Sequence, residues 1–529
     1  MKKEAWAFSV LVFLALLLLS ATAIAETGGT DGNITWSLSN DGVLTISGSG
    51  EMRNYDTFYP NDRAPWGTIV TCVVIEDGVT SIGNYAFAEC GRLKSITIPD
   101  SVAGIGIGAF CFCSSLTNIT IPGSVTSIGK NVFQRCGSLT YIEIPDSVTS
   151  IGDYAFDGCT SMTSIMIPDR VISIGEYAFL DCTSLTNITI PDSVTSIGYE
   201  AFRGCTSLTS ITIPGSIGDG AFYNCSSLTS ATIMNGVTSI GNNAFENCTS
   251  MTSITIMNGV TSIGYGAFNN CSSLTNITIP DSVISIGEGA FGSCDCLTSI
   301  VVNSGNTAYS SVDGVLFNKS KTTIIACPCG LADNYTIPSS VISISKYAFY
   351  NCKSLTSITI PDGVTSISYF AFFNCTSLKN ITIPDSVISI EHYAFQNCTS
   401  MTSITIPDGV TSIGVAAFAY CQSITEVFYN GTQSEWSMIS IASYNECLTN
   451  ANIHFISITT PDLVLPISLT TIESEAFVNL PNIHVIRIPA CVTSIAQDAF
   501  DPGVTLLVPT SAWGEWAETN GYLWEVYTD

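Results

Sequence analysis

The side chains best suited to chemistry in this sequence are its 21 cysteines. Thiols can form disulfides, ligate zinc or act as nucleophiles. Fourteen of the cysteines, from Cys90 through Cys421, lie three residues after a recurring phenylalanine. Because the total is odd, at least one thiol is unpaired within a monomer. The seven cysteines outside this pattern are Cys72, Cys111, Cys296, Cys327, Cys329, Cys447 and Cys491.

The closest cysteine pairs do not have the C-x-x-C spacing of a zinc knuckle or a redox motif. They are two residues apart, in Cys111-Phe112-Cys113, Cys294-Asp295-Cys296 and Cys327-Pro328-Cys329. No second cysteine or histidine pair follows at ligand spacing, and none of the three histidines has a nucleophile or ligand motif beside it. We therefore predict no metal site and no cofactor.

An aspartate recurs in the turn of many repeats and could form an acidic stripe. Calcium needs several converging oxygens, and this row is interrupted at Gly123, Gly215, Asn235 and Asn258. A solvated stripe is therefore the favoured interpretation, with cation binding as the alternative. The sequence also has no Gly-rich phosphate loop, nucleophile elbow or paired catalytic carboxylates, so we predict that the protein is not an enzyme. The recurring turn aspartates include Asp146, Asp169, Asp192, Asp281, Asp362, Asp385 and Asp408.

These residues belong to a repeated sequence whose phenylalanines mostly recur every 23 residues. Residues 355–375 show one unit, LTSITIPDGVTSISYFAFFNC. Ile358 and Ile360 alternate with polar residues, which predicts a short strand with one inward face. Pro361-Asp362-Gly363 ends that strand in a turn. From Ile367 the inward positions have nearly helical spacing, which predicts a short helical or 3₁₀ segment before the next strand.

One such coil cannot bury both of its faces, so neighbouring coils must stack into one core. Stacking at about 4.8 Å per coil places equivalent residues in ladders, isoleucine on isoleucine and phenylalanine on phenylalanine. The step from Phe202 to Phe222 is three residues short, because SIGDGAF lacks the VTS of other units. We expect that coil to be pinched.

The spacing L-x-x-I-x-I followed by Pro, then I-x-x-x-A-F-x-x-C, resembles the BspA-like leucine-rich repeat family of secreted and surface proteins. Nearly the whole chain shares this resemblance. It implies an α/β solenoid, a leucine-rich repeat arc with a parallel β-sheet on its concave face. It also places the fourteen repeat cysteines in an inward slot, where they would be buried thiols that behave as small apolar residues. Adhesion to host matrix proteins or to other cells is the function that the family implies.

Breaks in the repeat divide the chain into segments. Ile34, Trp36 and Leu38 alternate before the turn Asn40-Asp41-Gly42, and Leu44 and Ile46 alternate after it, which predicts a β-hairpin that caps the core. Val315-Leu316-Phe317 is interpreted as the remnant of a coil. The predicted segments are a signal peptide (1–25), an N-terminal β cap (26–71), a repeat array (72–294), an irregular enlarged repeat (295–336), a second array (337–425), an insert (426–460), final repeats (461–508) and a C-terminal cap (509–529).

The amino terminus and the net charge restrict the classes of partner. Two lysines, an apolar run and Ala23-Ile24-Ala25 predict a cleaved secretory signal, with an uncleaved membrane anchor as the alternative. Without Lys2, Lys3 and Glu4 the mature chain has 14 basic and 42 acidic side chains, a net charge of −28. This charge repels phosphate backbones, so we expect no binding to nucleic acid or anionic membranes.

The outward strand positions offer a polar, nearly uncharged surface of threonine, serine and asparagine, which suits weak multivalent contacts to an extracellular protein or glycan. Residues that break the template are the better candidates for ligand binding. We predict a secreted or cell-surface binding protein, an adhesin; the alternative is a structural spacer or surface-layer scaffold without a specific ligand. The candidate binding residues are Tyr141, Glu143, Met166, Lys94, Lys379 and Phe428.

Overall fold

The computed structural model describes residues 28–57, 62–331, 334–455, 463–466, 468–478, 485–501 and 504–527. The predicted signal peptide, residues 1–25, lies outside this part of the chain. Clustering of contacts divides the chain into two compact units. Unit 1 consists of Met1–Asn334, Ser340–Leu355 and Ser368–Thr376, and unit 2 consists of Tyr335–Ser339, Thr356–Ile367 and Ser377–Asp529.

Each coil contributes two strands that pair in parallel with the coils before and after it. In unit 1, Ile142 lies opposite Ile119, and Ile151 lies opposite Ile174. The register equals the 23-residue repeat, because each strand side chain must lie beside its own equivalent for the inward isoleucines to stay inward. The predicted solenoid with a parallel β-sheet is therefore confirmed, and it contains less helix than the α/β class that the sequence indicated.

The first strand of each coil forms the longer row. In unit 1 the row contains Val43–Gly48, Cys72–Ile75, Ser95–Thr97, Asn118–Thr120, Tyr141–Glu143, Ser164–Met166, Asn187–Thr189, Ser210–Ile213, Ser230–Ile233, Ser253–Ile256, Asn276–Ile279 and Ser299–Val302. In unit 2 it contains Ser357–Thr359, Asn380–Thr382, Ser403–Ile406, Glu426–Tyr429, Asn452–Phe455, Leu463–Val464, Val485–Arg487, Thr505–Val508 and Leu523–Val526. Asn334–Thr336 joins the sheet of Ser357–Thr359.

The second strands are shorter, because the turn of each coil follows almost at once. In unit 1 they are Gly50–Glu51, Val79–Ile82, Gly104–Ile105, Ser150–Ile151, Ser173–Ile174, Ser196–Ile197, Ser216–Ile217, Ser239–Ile240, Ser262–Ile263, Ser285–Ile286 and Ser343–Ile344. In unit 2 they are Ser366–Ile367, Ser389–Ile390, Ser412–Ile413, Ser440–Ile441, Thr471–Ile472 and Ser494–Ile495.

The segment around each repeat phenylalanine is a run of turns, where the sequence predicts a short helix or 3₁₀ segment. The Phe133 N–H donates to the Ala155 carbonyl of the next coil (2.8 Å), and the Asn131 N–H donates to Asp153 (2.9 Å). Asn131 and Arg135 have φ angles of +59° and +56°, which a right-handed helix excludes. The backbone alternates between bonds within the coil and bonds to the next coil, so a helix does not form.

The cores of both units are built from ladders of identical side chains. In unit 1 the phenylalanine rings stack coil upon coil, for example Phe179 on Phe202 with centroids 5.0 Å apart and planes 4° apart. Trp66 continues this stack beyond Phe87, at 5.7 Å. Hydroxyls join the coils as well, since the Ser193 Oγ–H donates to the Val171 carbonyl at 2.7 Å. Within the described residues no buried side-chain nitrogen or oxygen lacks a hydrogen-bond partner.

The three-residue deletion removes part of a turn and keeps the second row in register. Ser216 and Ile217 pair with Ser196 and Ile197, as the longer coils do. The shortened chain passes so close to the preceding coil that a Cβ at Gly215 would lie 2.5 Å from the Thr195 carbonyl carbon. Only glycine fits there, because the shortened turn lies close against the preceding coil, as the sequence predicts.

Two hairpins extend unit 1. Ile34–Leu38 pairs antiparallel with Val43–Gly48, as predicted, and Gly28–Asp31 adds a third strand. Val43–Gly48 then pairs in parallel with the first repeat strand, Cys72–Ile75. The expected coil remnant at 315–317 is instead part of a hairpin, in which Val315–Asn318 lies antiparallel to Tyr309–Val312 and Thr323–Ala326.

Unit 2 contains the α-helices of the described residues, and they are short. The helix α1 (Gln433–Trp436) begins with a capping box formed by Thr432 and Glu435. It is followed by α2 (Glu446–Thr449) and, near the carboxyl end, by α3 (Ser511–Thr519). Trp513, Trp516 and Trp524 pack against the last core cluster. Among the described residues, no helix is long and apolar enough to cross a membrane.

The phenylalanine ladder predicts the largest stability effects. We expect Phe179→Ala to lower the free energy of unfolding by about 3–5 kcal/mol, because it removes two ring contacts and leaves a cavity. Ile172→Thr is the control: Ile172 is 56% exposed, and threonine occupies the equivalent position in neighbouring coils. Urea unfolding followed by circular dichroism measures both. Equal midpoints for the two variants would contradict the ladder's role.

Candidate functional site

The outward side of the first-strand row is the surface that coil packing leaves free for a ligand; we call it the strand face. Its side chains alternate with buried isoleucines, so Asn118 and Thr120 are exposed on either side of Ile119. Some hydroxyls beside it serve the fold, since the Thr140 Oγ1–H donates to the Thr117 carbonyl at 3.3 Å. The outward side chains of the strands, such as Asn118 and Thr120, are exposed to solvent.

Tyr141, Glu143 and Met166 meet on the strand face of unit 1. Glu143 lies directly opposite Met166 on the adjacent parallel strand, and Tyr141 is two residues before Glu143 on the same face. Tyr141 is 50% exposed and Met166 is 72% exposed. The patch thus combines an aromatic ring, a flexible thioether and a carboxylate on a surface that is otherwise rich in hydroxyl groups. The ring and the thioether supply apolar contact area that threonine lacks.

Lys94 and Lys379 do not join this patch. Lys94 precedes the strand Ser95–Thr97, two coils before Tyr141, and is exposed. Lys379 belongs to unit 2, where it precedes Asn380–Thr382 and is also exposed. The structure therefore brings together three of the six candidate residues, while Lys94 lies two coils away and Lys379 belongs to the other unit.

Phe428 forms a second patch, on the strand face of unit 2, with residues that the sequence did not single out. Its ring stacks on His454 with centroids 4.9 Å apart and planes 19° apart. His454 Nε2 lies 2.6 Å from a Glu426 carboxylate oxygen, and the Asn452 amide donates to the other oxygen at 3.1 Å. These contacts fix the carboxylate and the imidazole side by side on an exposed surface.

The electrostatics of this second patch follow from its contacts. The hydrogen bond from His454, followed by that from Asn452, lowers the pKa of Glu426 below its usual range. The carboxylate is thus held ionised beside the imidazole ring of His454. The patch combines an aromatic platform with a fixed negative charge.

The signal for this patch lies in the coil length. Glu426 and Phe428 are opposite Asn452 and His454, which follow 26 residues later in a coil that contains two short helices. Because a 23-residue step does not align these four residues, a search by the common period finds Phe428 but misses its partners. Counting the enlarged coil as one unit would have found them.

The repeat cysteines are buried thiols that form no disulfide, as predicted. Most of them donate to the carbonyl of the phenylalanine 26 residues earlier; for Cys159 and Phe133 the distance is 3.2 Å. Burial raises the pKa of the Cys90 and Cys225 thiols to about 12 and that of Cys159 well above its usual value. Such thiols are neutral and inaccessible, so they are not nucleophiles.

Protein-family comparison agrees with this architecture. The model of the BspA type leucine-rich repeat region matches residues 66–161, 126–217, 215–333, 327–450 and 433–506. The chain belongs to the BspA-type leucine-rich repeat family. No curated protein matches its sequence.

Solved structures similar to this member of the BspA-type family include three bacterial proteins. A leucine-rich cell surface protein from Faecalibacterium prausnitzii is 27% identical, with a TM-score of 0.47, and the match covers 80% of this chain and 98% of that one. A leucine-rich repeat protein from Bacteroides ovatus is 24% identical, with a TM-score of 0.46 and coverage of 94% and 100%. The pneumococcal vaccine antigen PcpA is 16% identical, with a TM-score of 0.41 and coverage of 96% and 100%.

The buried thiols predict a selective labelling pattern. Iodoacetamide at pH 8 should modify Cys296, which is exposed, and spare the ladder cysteines such as Cys159 and Cys182. Urea should make all 21 reactive. Peptide mass spectrometry distinguishes the two states. Rapid modification of Cys159 in the folded protein would show that the ladder opens.

The Glu426 contact predicts a measurable titration. Replacing His454 with Gln should raise the pKa of Glu426 toward its ordinary value, because the hydrogen bond from the imidazole, which lowers that pKa most, is lost. Carbon-13 labelling of glutamate side chains, with Glu426→Gln to assign the resonance, follows the titration. His392→Gln is the matched control on another coil. An unchanged Glu426 titration in the His454→Gln variant would contradict this geometry.

Proposed function

We propose that the protein is exported and displayed outside the cell as an adhesin, which binds an extracellular protein or glycan through its strand face. The observation that carries this proposal is the Tyr141, Glu143 and Met166 patch. These residues pack against no core, and the repeat template supplies threonine, serine or asparagine at their positions in most coils. Selection for folding alone does not require their replacement.

Three further observations support the proposal. The second patch, around Phe428 and His454, also lies on a strand face and also replaces template residues, since Thr405 is opposite Phe428. One of the solved structures to which the chain is similar is described as a leucine-rich cell surface protein. The net charge of −27 disfavours nucleic acid as a partner.

A structural spacer or surface-layer scaffold is the second candidate. It is favoured by the hydroxyl groups that bond coil to coil, such as those of Thr186 and Thr195, because they explain much of the threonine content without a ligand. In that case the exposed patches would have no partner. We assign no catalytic role to either patch.

The experiment that separates the two candidates is a binding screen. Residues 26–529 are immobilised and exposed to matrix proteins, glycans and whole cells by biolayer interferometry, at low and at raised salt. Saturable and selective binding that survives salt supports the adhesin. Self-assembly at low protein concentration without a ligand, from a chain shown to be folded, supports the scaffold.

For any partner found, the triple variant Tyr141→Ala, Glu143→Ala, Met166→Ala should weaken binding by about tenfold or more, because aromatic and flexible apolar anchors dominate interface energetics. The matched control is Asn276→Ala, Thr278→Ala, Val301→Ala. Those residues occupy the same register on later coils, with Thr278 opposite Val301 as Glu143 is opposite Met166. Equal affinities for the two triple variants would remove the patch from the binding site.

A further inference from the structure

The surface formed by the turn segments around the repeat phenylalanines, which we call the turn face, carries a row of residues in the left-handed conformation. They lie two positions before each repeat phenylalanine. Tyr154 and Tyr177 belong to this row, and their rings stack with centroids 4.6 Å apart. Gly220 has the same conformation, with a φ of +63°, but contributes no side chain. A cavity of about 320 Å³ opens there.

The cavity is lined by groups that the fold holds in place. The Arg203 guanidinium donates to a Glu200 carboxylate oxygen at 2.6 Å and lies over the Tyr223 ring, 5.2 Å from its centroid. Asp219 accepts hydrogen bonds from the backbone and side-chain nitrogens of Asn242, at 2.7 and 3.0 Å. Tyr199 is 41% exposed at the rim.

These groups favour a neutral, hydroxylated ligand. The Glu200 and Asp219 carboxylates repel an anion, and the Arg203 guanidinium repels a cation. Neither an anion nor a cation is therefore attracted by all three charged groups. A hydroxyl donates to a carboxylate and accepts from a guanidinium or an amide, and can therefore use both kinds of group. A ligand with several hydroxyls on a compact frame satisfies the lining.

The aromatic rim adds a requirement of shape. The face of an aromatic ring carries a partial negative charge and attracts C–H hydrogens, which carry a partial positive charge. Tyr199 meets Tyr177 edge to face, with centroids 5.2 Å apart, which fixes its orientation. A pyranose ring has one face of C–H groups and hydroxyls at its edge, and its size suits a cavity near the lower end of the range for ligand pockets.

We propose that this cavity at Gly220 is a sugar-binding site for one neutral hexose unit. The site is on the turn face, so it goes beyond the proposed strand-face function and does not rest on it. Glu200 and Asp219 accept hydrogen bonds from the sugar hydroxyls, Arg203 donates to them, and Tyr199 packs against the ring.

The test measures binding of methyl glycosides of glucose, galactose, mannose and N-acetylglucosamine to folded residues 26–529 by saturation-transfer NMR. At least one glycoside should bind saturably. Gly220→Tyr should weaken that binding by about tenfold or more, because the ring fills the cavity. Tyrosine occupies this row at φ angles near +55° in Tyr85, Tyr154 and Tyr177, so the backbone accepts the substitution. An added Cβ at Gly220 would lie 2.9 Å from Glu200 Cγ, so the Glu200 side chain must also shift, and circular dichroism should confirm that the variant is folded.

The matched control is Gly289→Tyr, in the same row at a φ of +65°, where an added Cβ meets only ordinary contacts with Tyr347. It should leave glycoside binding unchanged. The proposal is overturned if no glycoside binds the unaltered protein, if Gly220→Tyr binds as well as the control, or if only acetate or methylammonium binds. Partner binding at the strand face, measured on the same variants, should not change, which separates this result from the adhesin proposal.

Discussion

The hydrogen bonds that join each coil to the next are the interaction on which the rest of the structure depends. A single coil has no internal ladder and cannot bury its isoleucines alone. The two strand rows and the turn segments each donate N–H groups to neighbouring coils, as from Phe133 to Ala155, and serine and threonine hydroxyls add further bonds. Because each donor needs an acceptor one repeat away, the register is fixed. The stacked phenylalanines and buried thiols then fill the interior together with isoleucine, valine and leucine side chains.

This constraint divides the side chains into two classes. Inward positions are restricted to a few apolar residues, since each must pack against its equivalent on both sides. Outward positions have no such requirement beyond solubility and strand propensity. A residue such as Met166, 72% exposed among polar neighbours, therefore follows from something other than packing. The same reasoning applies to Phe428, although the stack with His454 gives it one local contact.

Much of the fold could be predicted from the period of the phenylalanines and the alternation of isoleucine with polar residues. The conformation of the segment around each repeat phenylalanine could not be predicted. Its inward residues have nearly helical spacing, but its backbone adopts the left-handed conformation at non-glycine residues such as Asn131. Hydrogen bonds to the next coil compensate for that conformation, and they are not visible in one repeat. The Tyr141 patch was predictable because its coils have the common length, whereas the His454 patch required the register of an enlarged coil.

Absence of a side chain can be as informative as a change of side chain. On the strand face, larger side chains replace the threonine, serine or asparagine of the repeat template. They project from the surface, where a ligand can contact them. On the turn face, tyrosines and asparagines occupy much of the left-handed row, and Gly220 is one of four glycines in it, with Gly108, Gly266 and Gly289. The φ of +63° does not by itself require glycine at Gly220, since tyrosine occurs at similar angles elsewhere in the row. What distinguishes the cavity at Gly220 is its lining by Arg203, Glu200 and Asp219, which belongs to these coils and not to the repeat template.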